Sequence, residues 1–490
     1  MRACHEHGAA TVAVYANCDR TAPHVRYAGQ AVALKADEPA SSYLAIDKII
    51  AAARQTGADA VHPGYGFLAE NGSFARAVTE AGLSFIGPPA DVIDLMGGKT
   101  AARKAAERAG VPTILGTEGA LPDEASDAEL QRAGDDVGYP VFVKAVAGGG
   151  GKGMRLVREP DALLRAVQGA RSEAASAFGN GDVYLERCIE RGRHIEVQLL
   201  ADAYGTVVPF VERECSVQRR HQKVIEETPS PVVSDEMRRA LADAAVRLAK
   251  DVGYTNAGTI EYLYDDTSEN FYFLEMNTRL QVEHPVTEMV TGVDLVRWQL
   301  RLAQGEHLEI DPDRALTSDG HAIECRVYAE DPDAGFMPCP GRLQTHRTPA
   351  GPGIRVDSGV AAGFEVPVFY DSMVSKVIAH AADRPQAIER MVRALEEYEV
   401  TGVPTTIPLF RWLLANADFV AGRFDTTYLD RVLAARDGAP FVQPSGDAEE
   451  LAVVAAAVSV VLNGAASAGR RLADADERGW CLAARLEALR

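Results

Sequence analysis

Two segments in the middle of the chain have the composition of paired strands. Gly258–Tyr264 and Phe271–Asn277 contain several aromatic and β-branched residues, and the turn-forming segment Asp265–Asn270 separates them. The pattern predicts a β-hairpin. Its aromatic content favours burial over the alternative, an edge hairpin with a solvated polar face.

Three polar side chains of this hairpin could bind a metal ion. Strand alternation places Glu275 and Asn277 on the same face. If Leu263 pairs with Phe273, Glu261 lies opposite Glu275. Adjacent carboxylates repel each other unless a cation neutralises them, and a few hard oxygen ligands suit Mg²⁺ that is carried with a nucleotide.

The segment that follows the hairpin could bind a small anion. Thr278–Pro285 contains Arg279 and Gln281, whose guanidinium and amide groups can hold a planar anion through paired hydrogen bonds. Glu283 lies in the same segment, and a carboxylate beside the anion could act as a general base. We therefore expect a metal ion, an anion and a base in one site.

Cationic side chains are concentrated upstream of the hairpin. The chain has 50 Lys+Arg against 70 Asp+Glu and a net charge of −20. A charge run is usually a solvated face, but concentrated cations in an acidic protein favour a local anion site. The excess of acidic over basic residues in the whole chain argues against non-specific nucleic-acid binding. The run lies within Glu212–Lys223 and contains Gln218, Arg219, Arg220, His221, Gln222 and Lys223.

Four successive glycines, Gly148–Gly151, follow the predicted strand Val141–Ala145. Backbone N–H groups without side chains can approach phosphate oxygens closely, as a flap over a nucleotide must. The run is not a Walker A loop, because Lys152 is not followed by Ser or Thr. A glycine run alone is more often a linker, but Lys99 and Lys144 could serve as phosphate-binding charges and favour the flap.

Gly64–Ala69 fits the dinucleotide-binding pattern G-x-G-x-x-A after a strand. No matching acidic residue is evident about 20 positions further on, and bulky Tyr65 and Phe67 would crowd a pyrophosphate. We interpret the motif as a tight turn that caps a sheet.

The elements that must position these residues change character along the chain. The first hundred residues alternate strand and helix signals, which is typical of a parallel, doubly wound α/β sheet, although the chain opens on the tail of a helix with no strand before it. Residues 318–430 mix short strands, turns and one helix, Arg384–Tyr398. The Ala-rich tail, 447–490, predicts two helices broken at Asn463-Gly464. The other predicted elements are strands Thr11–Tyr15, Ala58–His62 and Leu83–Ile86, and helices Tyr43–Thr56, Asn71–Ala81 and Ala101–Ala109.

The seven Cys residues include no C-x-x-C pair, and their odd number predicts a reducing, cytoplasmic compartment. The first residues contain no apolar stretch of the kind found in secretory signals. The longest apolar run, Ala452–Leu462, is much shorter than the roughly 20 residues of a membrane span. We therefore expect no membrane association.

Several long segments together resemble biotin carboxylase, a member of the ATP-grasp superfamily and the ATP-dependent component of acetyl-, propionyl- and other acyl-CoA carboxylases. The resemblance extends from residue 1 to about residue 430. Carbamoyl-phosphate synthetase shares the ATP-grasp organisation, but Gln281–Val286 and His321–Arg326 look like the biotin enzymes. The segments are His62–Asn71, the glycine run, Glu212–Glu227, Glu275–Thr287, Gly320–Arg326 and Tyr370–Met373.

The resemblance implies a multidomain α/β and α+β protein. The implied parts are a Rossmann-like preATP-grasp domain over residues 1–97, an ATP-grasp domain over 98–315, an α+β biotin carboxylase C-terminal domain over 316–437, and a linker and helical tail of unknown role over 438–490. Family members normally begin with one more strand. We expect that its absence here reflects a misplaced start or a truncation that affects stability more than ligand chemistry.

The resemblance also implies roles for individual residues. At the metal and bicarbonate end, Glu261, Glu275 and Asn277 would bind Mg²⁺ or Mn²⁺; Lys223, Arg279, Gln281 and the Val282 backbone would hold bicarbonate; Glu283 would deprotonate it; and Arg326 would stabilise the biotin enolate. At the nucleotide end, Lys99, Lys144 and Gly148, Gly149, Gly150 and Gly151 would hold the ATP phosphates; Glu186, Arg187 and Ile189 would form the adenine hinge; and His194, Gln218 and His221 would line the site.

The implied reaction is ATP-dependent carboxylation of biotin through carboxyphosphate, the first half-reaction of an acyl-CoA carboxylase such as those of fatty acid biosynthesis. None of the nine Met residues is followed by Lys, so we expect biotin to arrive on a separate biotin carboxyl carrier protein or domain. The other expected partners are a second copy of the chain, in a homodimer, and a carboxyltransferase. The alternatives are a non-catalytic ATP-binding scaffold of a carboxylase complex and another ATP-grasp ligase.

Overall fold

The computed structural model describes residues 1–146, 154–442, 446–447 and 450–459. Residues 1–438 form one compact unit and residues 439–490 a second. In the second unit, residues 450–459 are helical with exposed side chains, and the predicted helix break at Asn463-Gly464 lies outside the described residues. Within the described ranges, no helix is both long and apolar enough to cross a membrane.

The N-terminal region alternates helices with short strands, as its sequence predicts. Its elements are α1 Arg2–Glu6, β1 Val12–Tyr15, α2 Pro23–Tyr27, β2 Gln30–Ala33, α3 Ile46–Thr56, β3 Ala60–Val61, α4 Gly72–Glu80, β4 Ser84–Phe85 and α5 Ala90–Gly97. β1 pairs with β2 and β3 pairs with β4, both in parallel. The described residues form two separate two-stranded ladders here instead of one predicted sheet, since β3 and β4 are too short to carry the pairing further.

The next region builds a small antiparallel sheet in the order β6-β5-β7. Its elements are α6 Lys99–Arg108, α7 Asp127–Val137, β5 Val141–Ala145, β6 Met154–Val157, α8 Leu163–Phe178 and β7 Val183–Arg187. β5 has the predicted bounds, and the chain between β5 and β6 contains the glycine run. α7 begins with a capping box, in which Ser126 and Glu129 each accept a hydrogen bond from the other's backbone N–H.

The largest element is a nine-stranded sheet in the order β13-β12-β8-β10-β11-β14-β21-β19, with β9 paired to β8. The elements of its first half are β8 Gly192–Ala201, β9 Val207–Pro209, β10 Arg213–Arg219, β11 Gln222–Thr228, α9 Asp235–Asp251, β12 Asn256–Asp265, β13 Asn270–Asn277, α10 His284–Thr291, α11 Leu295–Ala303 and α12 Pro312–Ala315. β8 is buried along its whole length. Apolar residues of α9, including Leu241 and Leu248, share a core with Ile195 and Val197 of β8.

The C-terminal region completes this sheet and adds short ladders and helices. Its elements are β14 His321–Tyr328, β15 Glu330–Asp331, β16 Met337–Pro338, β17 Gly341–Arg342, β18 Thr345–Arg347, β19 Ile354–Ser358, β20 Glu365–Val366, β21 Met373–Ala381, α13 Arg384–Glu397, β22 Glu399–Thr401, α14 Ile407–Leu414, α15 Ala417–Val420 and α16 Tyr428–Ala435. β14 pairs with β11 in antiparallel register, with Glu226 opposite Glu324. The sheet therefore continues across the predicted boundary between residues 315 and 316, and it places Arg326 beside β11.

Candidate active site

One cavity of about 790 Å³ collects nearly all the side chains that the sequence singles out. The predicted residues that line it are Lys99, Lys144, Glu186, Ile189, His194, Gln218, His221, Lys223, Glu261, Glu275, Asn277, Arg279, Gln281, Val282, Glu283 and Arg326. Arg187 instead lines an adjoining cavity of about 1030 Å³, which shares Ile189 with the first. The predicted phosphate-binding glycines, Gly148–Gly151, lie outside the described residues.

The hairpin of β12 and β13 brings two carboxylates together through a β-bulge. Glu261 lies opposite Glu275, as predicted, but Phe273 pairs with Tyr262 and not with Leu263. The register shifts between Glu261 and Tyr262, so that β13 contains one extra residue, Leu274. A bulge of this kind re-aims a side chain next to a site. The prediction assumed regular pairing, so its register for Leu263 is wrong.

Among the described carboxylates that line the cavity, Glu261 has the most hydrogen-bond and ion-pair partners. One of its oxygens, Oε1, accepts hydrogen bonds from Lys223 Nζ at 2.7 Å, Gln281 Nε2 at 2.7 Å and Asn277 Nδ2 at 2.9 Å. The other oxygen lies 3.0 Å from His194 Nε2. Burial alone would raise the pKa of Glu261, but the charges of Lys223 and His194 outweigh it and hold that pKa well below its usual value.

The charge of Glu261 shifts the pKa values of two neighbours, Glu275 and His194, at this end of the cavity. The charge of Glu261, together with burial, raises the pKa of Glu275. Burial lowers the pKa of His194, but the charge of Glu261 overcomes it and raises that pKa to about 9. Facing carboxylates with a neighbouring amide oxygen are a donor set that a hard divalent cation fits, since the cation would remove their mutual repulsion.

Lys223 connects the two ends of the cavity. Its ammonium donates to Glu196 at 2.5 Å, Glu261 at 2.7 Å and Glu283 at 2.6 Å. Burial opposes the charge of Lys223, but these three carboxylates raise its pKa well above the usual value. Lys223 therefore remains cationic and lies between the carboxylate of the hairpin and the carboxylate at the predicted base position.

Glu283 lies between two cations. Besides Lys223, Arg326 contacts it, with Nη2 at 2.9 Å from Oε2. Burial would raise the pKa of Glu283, but Lys223 and Arg326 lower it to about 2. The second edge of Arg326 is occupied by Glu226, whose Oε1 accepts from Nε at 2.5 Å. Glu283 is therefore ionised at neutral pH.

The segment after the hairpin is fixed by contacts to other elements. Arg279 donates to Glu70 at 2.9 Å and to Asn277 Oδ1 at 3.0 Å. Gln281 accepts at 2.6 Å from Arg213. Lys376 of β21 donates to the backbone carbonyl of Val282. The predicted anion-binding groups are thus held in place from several directions.

The nucleotide end of the cavity is also cationic. Lys144 of β5 forms an ion pair with Glu186 of β7, and burial lowers the pKa of Lys99 at the start of α6. Arg220 and His221 form the turn between β10 and β11 with positive φ angles of 49° and 64°. Residues other than Gly, Asn and Asp seldom adopt this conformation, and such strain is concentrated at functional sites.

Sequence reasoning missed several buried residues that support the cavity. Arg213 has 0% exposure and donates to Glu196, Gln198, Thr259, Thr287 and Gln281. Glu196, Glu226 and Lys376 were also not predicted. A usable signal exists for Glu196, because His194, Glu196 and Gln198 alternate with Ile195, Val197 and Leu199 along the strand and so share one face.

Three family models match most of the chain. The model for the N-terminal domain of biotin carboxylase matches residues 1–93, the model for the ATP-binding domain of the carbamoyl-phosphate synthase L chain matches residues 98–311, and the model for the C-terminal domain of biotin carboxylase matches residues 324–431. These matches span the elements that form the cavity.

Curated relatives are similar over nearly their full length. A biotin carboxylase of Nostoc sp. is 50% identical over 432 residues, which is 88% of this chain and 96% of the relative. A pyruvate carboxylase subunit of Methanothermobacter thermautotrophicus is also 50% identical over 432 residues, with 88% of this chain and 86% of the relative covered.

Solved structures agree with the fold. The biotin carboxylase domain dimer of Hydrogenobacter thermophilus 2-oxoglutarate carboxylase, in complex with MgADP, ADP and bicarbonate, has a TM-score of 0.84 and 45% identity over 91% of this chain and 96% of that chain. A β,γ-ATP complex of Campylobacter jejuni biotin carboxylase has a TM-score of 0.83 and 42% identity over 88% of this chain and 95% of that chain.

Proposed function

The chain belongs to the biotin carboxylase family, and from that premise we propose that it carboxylates biotin on a separate carrier protein at the expense of ATP and bicarbonate. The observation that carries the proposal is a continuous set of contacts across the cavity. Lys223 joins Glu261 to Glu283, and Arg326 extends the set from Glu283, with each contact shorter than 3 Å. Nucleotide, bicarbonate and biotin can therefore react within one space.

The metal and nucleotide would occupy the end of the cavity beside the hairpin. Glu261, Glu275 and Asn277 would hold Mg²⁺, or Mn²⁺ in its place, which offsets charge on the phosphates during transfer. Lys99 and Lys144 would bind phosphate oxygens, and Gly148–Gly151 would cover them. The adenine would lie along Glu186, Arg187 and Ile189, with His194, Gln218 and His221 along the rest of the nucleotide. The relative from H. thermophilus binds MgADP and bicarbonate.

Bicarbonate would bind between the hairpin and Glu283. Lys223, Arg279, Gln281 and the Val282 N–H supply the donors, and Glu283 accepts the bicarbonate proton. The bicarbonate oxygen then attacks the γ-phosphorus of ATP, the bond to ADP breaks, and carboxyphosphate forms. A site shielded from water protects this unstable product.

Biotin would meet carboxyphosphate at the Arg326 end. Carboxyphosphate separates into CO₂ and phosphate, and the phosphate takes the N1′ proton of biotin. Arg326 stabilises the negative charge on the ureido oxygen while N1′ bonds to CO₂. The products are ADP, hydrogen phosphate and carboxybiotin, and Glu283 releases the bicarbonate proton to solvent, so that atoms and charge balance.

We further propose that the chain works within a carboxylase complex, with a biotin carboxyl carrier, a carboxyltransferase and a second copy of itself. The expected final acceptor is an acyl-CoA such as acetyl- or propionyl-CoA. Similar proteins belong to pyruvate and 2-oxoglutarate carboxylases, so these two acids are the competing acceptors.

The test uses the full chain with ATP, Mg²⁺ and bicarbonate, with and without free biotin. We expect ATP hydrolysis to depend on bicarbonate and to rise with biotin. No bicarbonate-dependent ATP hydrolysis at any concentration of biotin would favour the scaffold. ATP hydrolysis that is driven by a different carboxylate and that biotin does not change would favour another ATP-grasp ligase. Reconstitution with candidate carriers and transferases, assayed on acetyl-CoA, propionyl-CoA, pyruvate and 2-oxoglutarate, then identifies the acceptor.

A further inference from the structure

A second pair of carboxyl groups lies beside the cavity and has no role in the binding steps proposed above. Glu226 on β11 and Glu324 on β14 are direct cross-strand partners, so their side chains share one face of the sheet. Both residues have 0% exposure. Both oxygens of Glu324 and Oε2 of Glu226 lack a hydrogen-bond partner among the described residues.

Two buried carboxyl groups that face each other across neighbouring strands do not both ionise, because their like charges repel and no side chain among the described residues donates to either oxygen of Glu324. Burial raises the pKa of Glu324 well above its usual value, and the charge of Glu226 adds to that effect. Burial also raises the pKa of Glu226, but only to about 7, because Arg326 stabilises its charged form. The pair therefore keeps one proton on Glu324 and ionises at Glu226.

The remaining oxygen of Glu226 fixes Arg326. Arg326 Nε donates to Glu226 Oε1 at 2.5 Å, while Nη2 donates to Glu283 Oε2 at 2.9 Å. Two carboxylates thus hold two edges of one guanidinium that lines the cavity. If Glu226 were removed, Glu283 would hold one edge of the guanidinium and the other edge would be free to rotate.

We propose that Glu226 is a positioning residue that orients Arg326 toward biotin, while Glu324 retains the proton of the pair. The inference rests on the proposed function, since it assigns Glu226 to the biotin half of that reaction. An orientated guanidinium needs no reorganisation when charge develops on the ureido oxygen.

The same arrangement gives the biotin half a dependence on pH. Ionised Glu226 forms an ion pair with the guanidinium of Arg326, and protonation of Glu226 weakens that ion pair. The biotin-stimulated rate should therefore rise with pH through the ionisation of Glu226. Among the described residues, the titratable or charged groups that interact with Glu226 are Arg326, Glu324, Cys325 and Tyr328 on β14, Lys223 on its own strand, Cys215 on β10 and Glu283 before α10.

The first test compares E226Q with E227Q in the full chain. Glu227 is equally buried on the same strand, but it pairs with His321 at 2.6 Å and Arg384 at 2.7 Å, away from the cavity. We expect E226Q to lower biotin-stimulated ATP hydrolysis by about tenfold to 100-fold and to leave the rate without biotin nearly unchanged. E227Q should keep the wild-type ratio of the two rates.

Three results would overturn the inference. An E226Q protein in which both rates keep their wild-type values, or in which both fall by the same factor, removes Glu226 from positioning while the proposed function stands. A wild-type protein that biotin does not stimulate overturns the proposed function as well.

A second variant covers the case in which E226Q does not fold. E324Q keeps Glu226 and replaces a carboxyl group that stays protonated with a neutral amide, so Glu226 should ionise over the same pH range. We expect the pH at which the biotin-stimulated rate reaches half its maximum to match wild type. A shift of that pH in E324Q would show that Glu324 ionises together with Glu226 and contradicts the inference.

Discussion

At the scale of single residues, Glu283 presents an apparent conflict between acidity and function. Burial would raise its pKa, but Lys223 and Arg326 lower it to about 2, which makes it a weak base while it pairs with both cations. Both cations are also the groups proposed to bind bicarbonate and biotin. Once they engage those ligands, and a bound anion adds negative charge, the pKa of Glu283 rises toward a value suited to accepting a proton.

The base role of Glu283 can be tested with an isosteric substitution. Glu283→Gln retains the shape of the side chain but cannot accept a proton. We expect bicarbonate-dependent ATP hydrolysis to fall by about 10²- to 10⁴-fold, with ATP affinity close to wild type. Steady-state kinetics and equilibrium nucleotide binding measure the two quantities separately, and unchanged turnover would remove Glu283 from the base role.

Substitution of Arg326 distinguishes the biotin half of the proposed reaction from the nucleotide half. Arg326→Ala removes the donor for the biotin enolate but leaves the hairpin and the lysines near the nucleotide intact. We expect carboxylation of free biotin to fall by about 100-fold and the KM for ATP to change little. Equal losses in both would place Arg326 in a general structural role.

At the scale of elements, the β12–β13 hairpin determines whether a cation can bind. Its bulge puts Glu261 opposite Glu275, and the charge of Glu261 raises the pKa of Glu275. A bound cation would relieve this repulsion, so each carboxylate should contribute to the affinity for the metal.

Substitution of Glu275 tests this arrangement. We expect Glu275→Gln to raise the Mg²⁺ concentration needed for half-maximal ATP hydrolysis by at least about tenfold. Glu269→Gln is the matched control, because Glu269 lies in the exposed turn of the same hairpin. If both variants titrate with Mg²⁺ like wild type, Glu275 is not a ligand.

Local sequence patterns predicted this hairpin well because its two strands are adjacent in the sequence. Alternation placed Glu275 and Asn277 on one face, and the turn residues fixed the approximate ends of both strands. The bulge at Leu274 was missed, since nothing in the local sequence marks an extra residue. The Glu226–Glu324 pair was missed for another reason: the two residues are far apart in sequence, and only the sheet order β11-β14 brings them together.

At the scale of the whole molecule, the nine-stranded sheet is the feature that brings distant parts of the chain to one cavity. β14 and β21 extend the sheet that begins with the hairpin, so that Arg326 lines the same cavity as Glu261, and Lys376 contacts the backbone of Val282, which also lines it. The acidic chain, with a net charge of −20, concentrates cations in that cavity for anionic ligands. Composition could predict that an anion site exists, but not that residues from both predicted domains form it.

The buried carboxyl groups also predict how stability depends on pH. The raised pKa values of Glu226, about 7, and Glu324 mean that the folded protein keeps protons that the unfolded chain loses above about pH 4.3. Stability should therefore fall as pH rises from about 5 to 8. Each retained proton contributes at most about 1.4 kcal/mol per pH unit.

The ionisation of Glu283 changes stability in the opposite direction, and it does so over a lower pH range. Its lowered pKa, about 2, gives stability that is present above about pH 4.3 and is lost as pH falls toward 2. Denaturant unfolding at several pH values measures both effects. We expect Glu324→Gln to flatten the decline above about pH 5, and an unchanged slope would show that Glu324 ionises normally in the folded protein.

The most direct measurement of the central claim is transfer of labelled carbon from bicarbonate to biotin by the purified full chain. With ATP, Mg²⁺ and free biotin we expect labelled carboxybiotin, formed with one ADP for each carboxyl group transferred, and none without ATP. Hydrolysis of ATP with no label on biotin at any biotin concentration would contradict the claim.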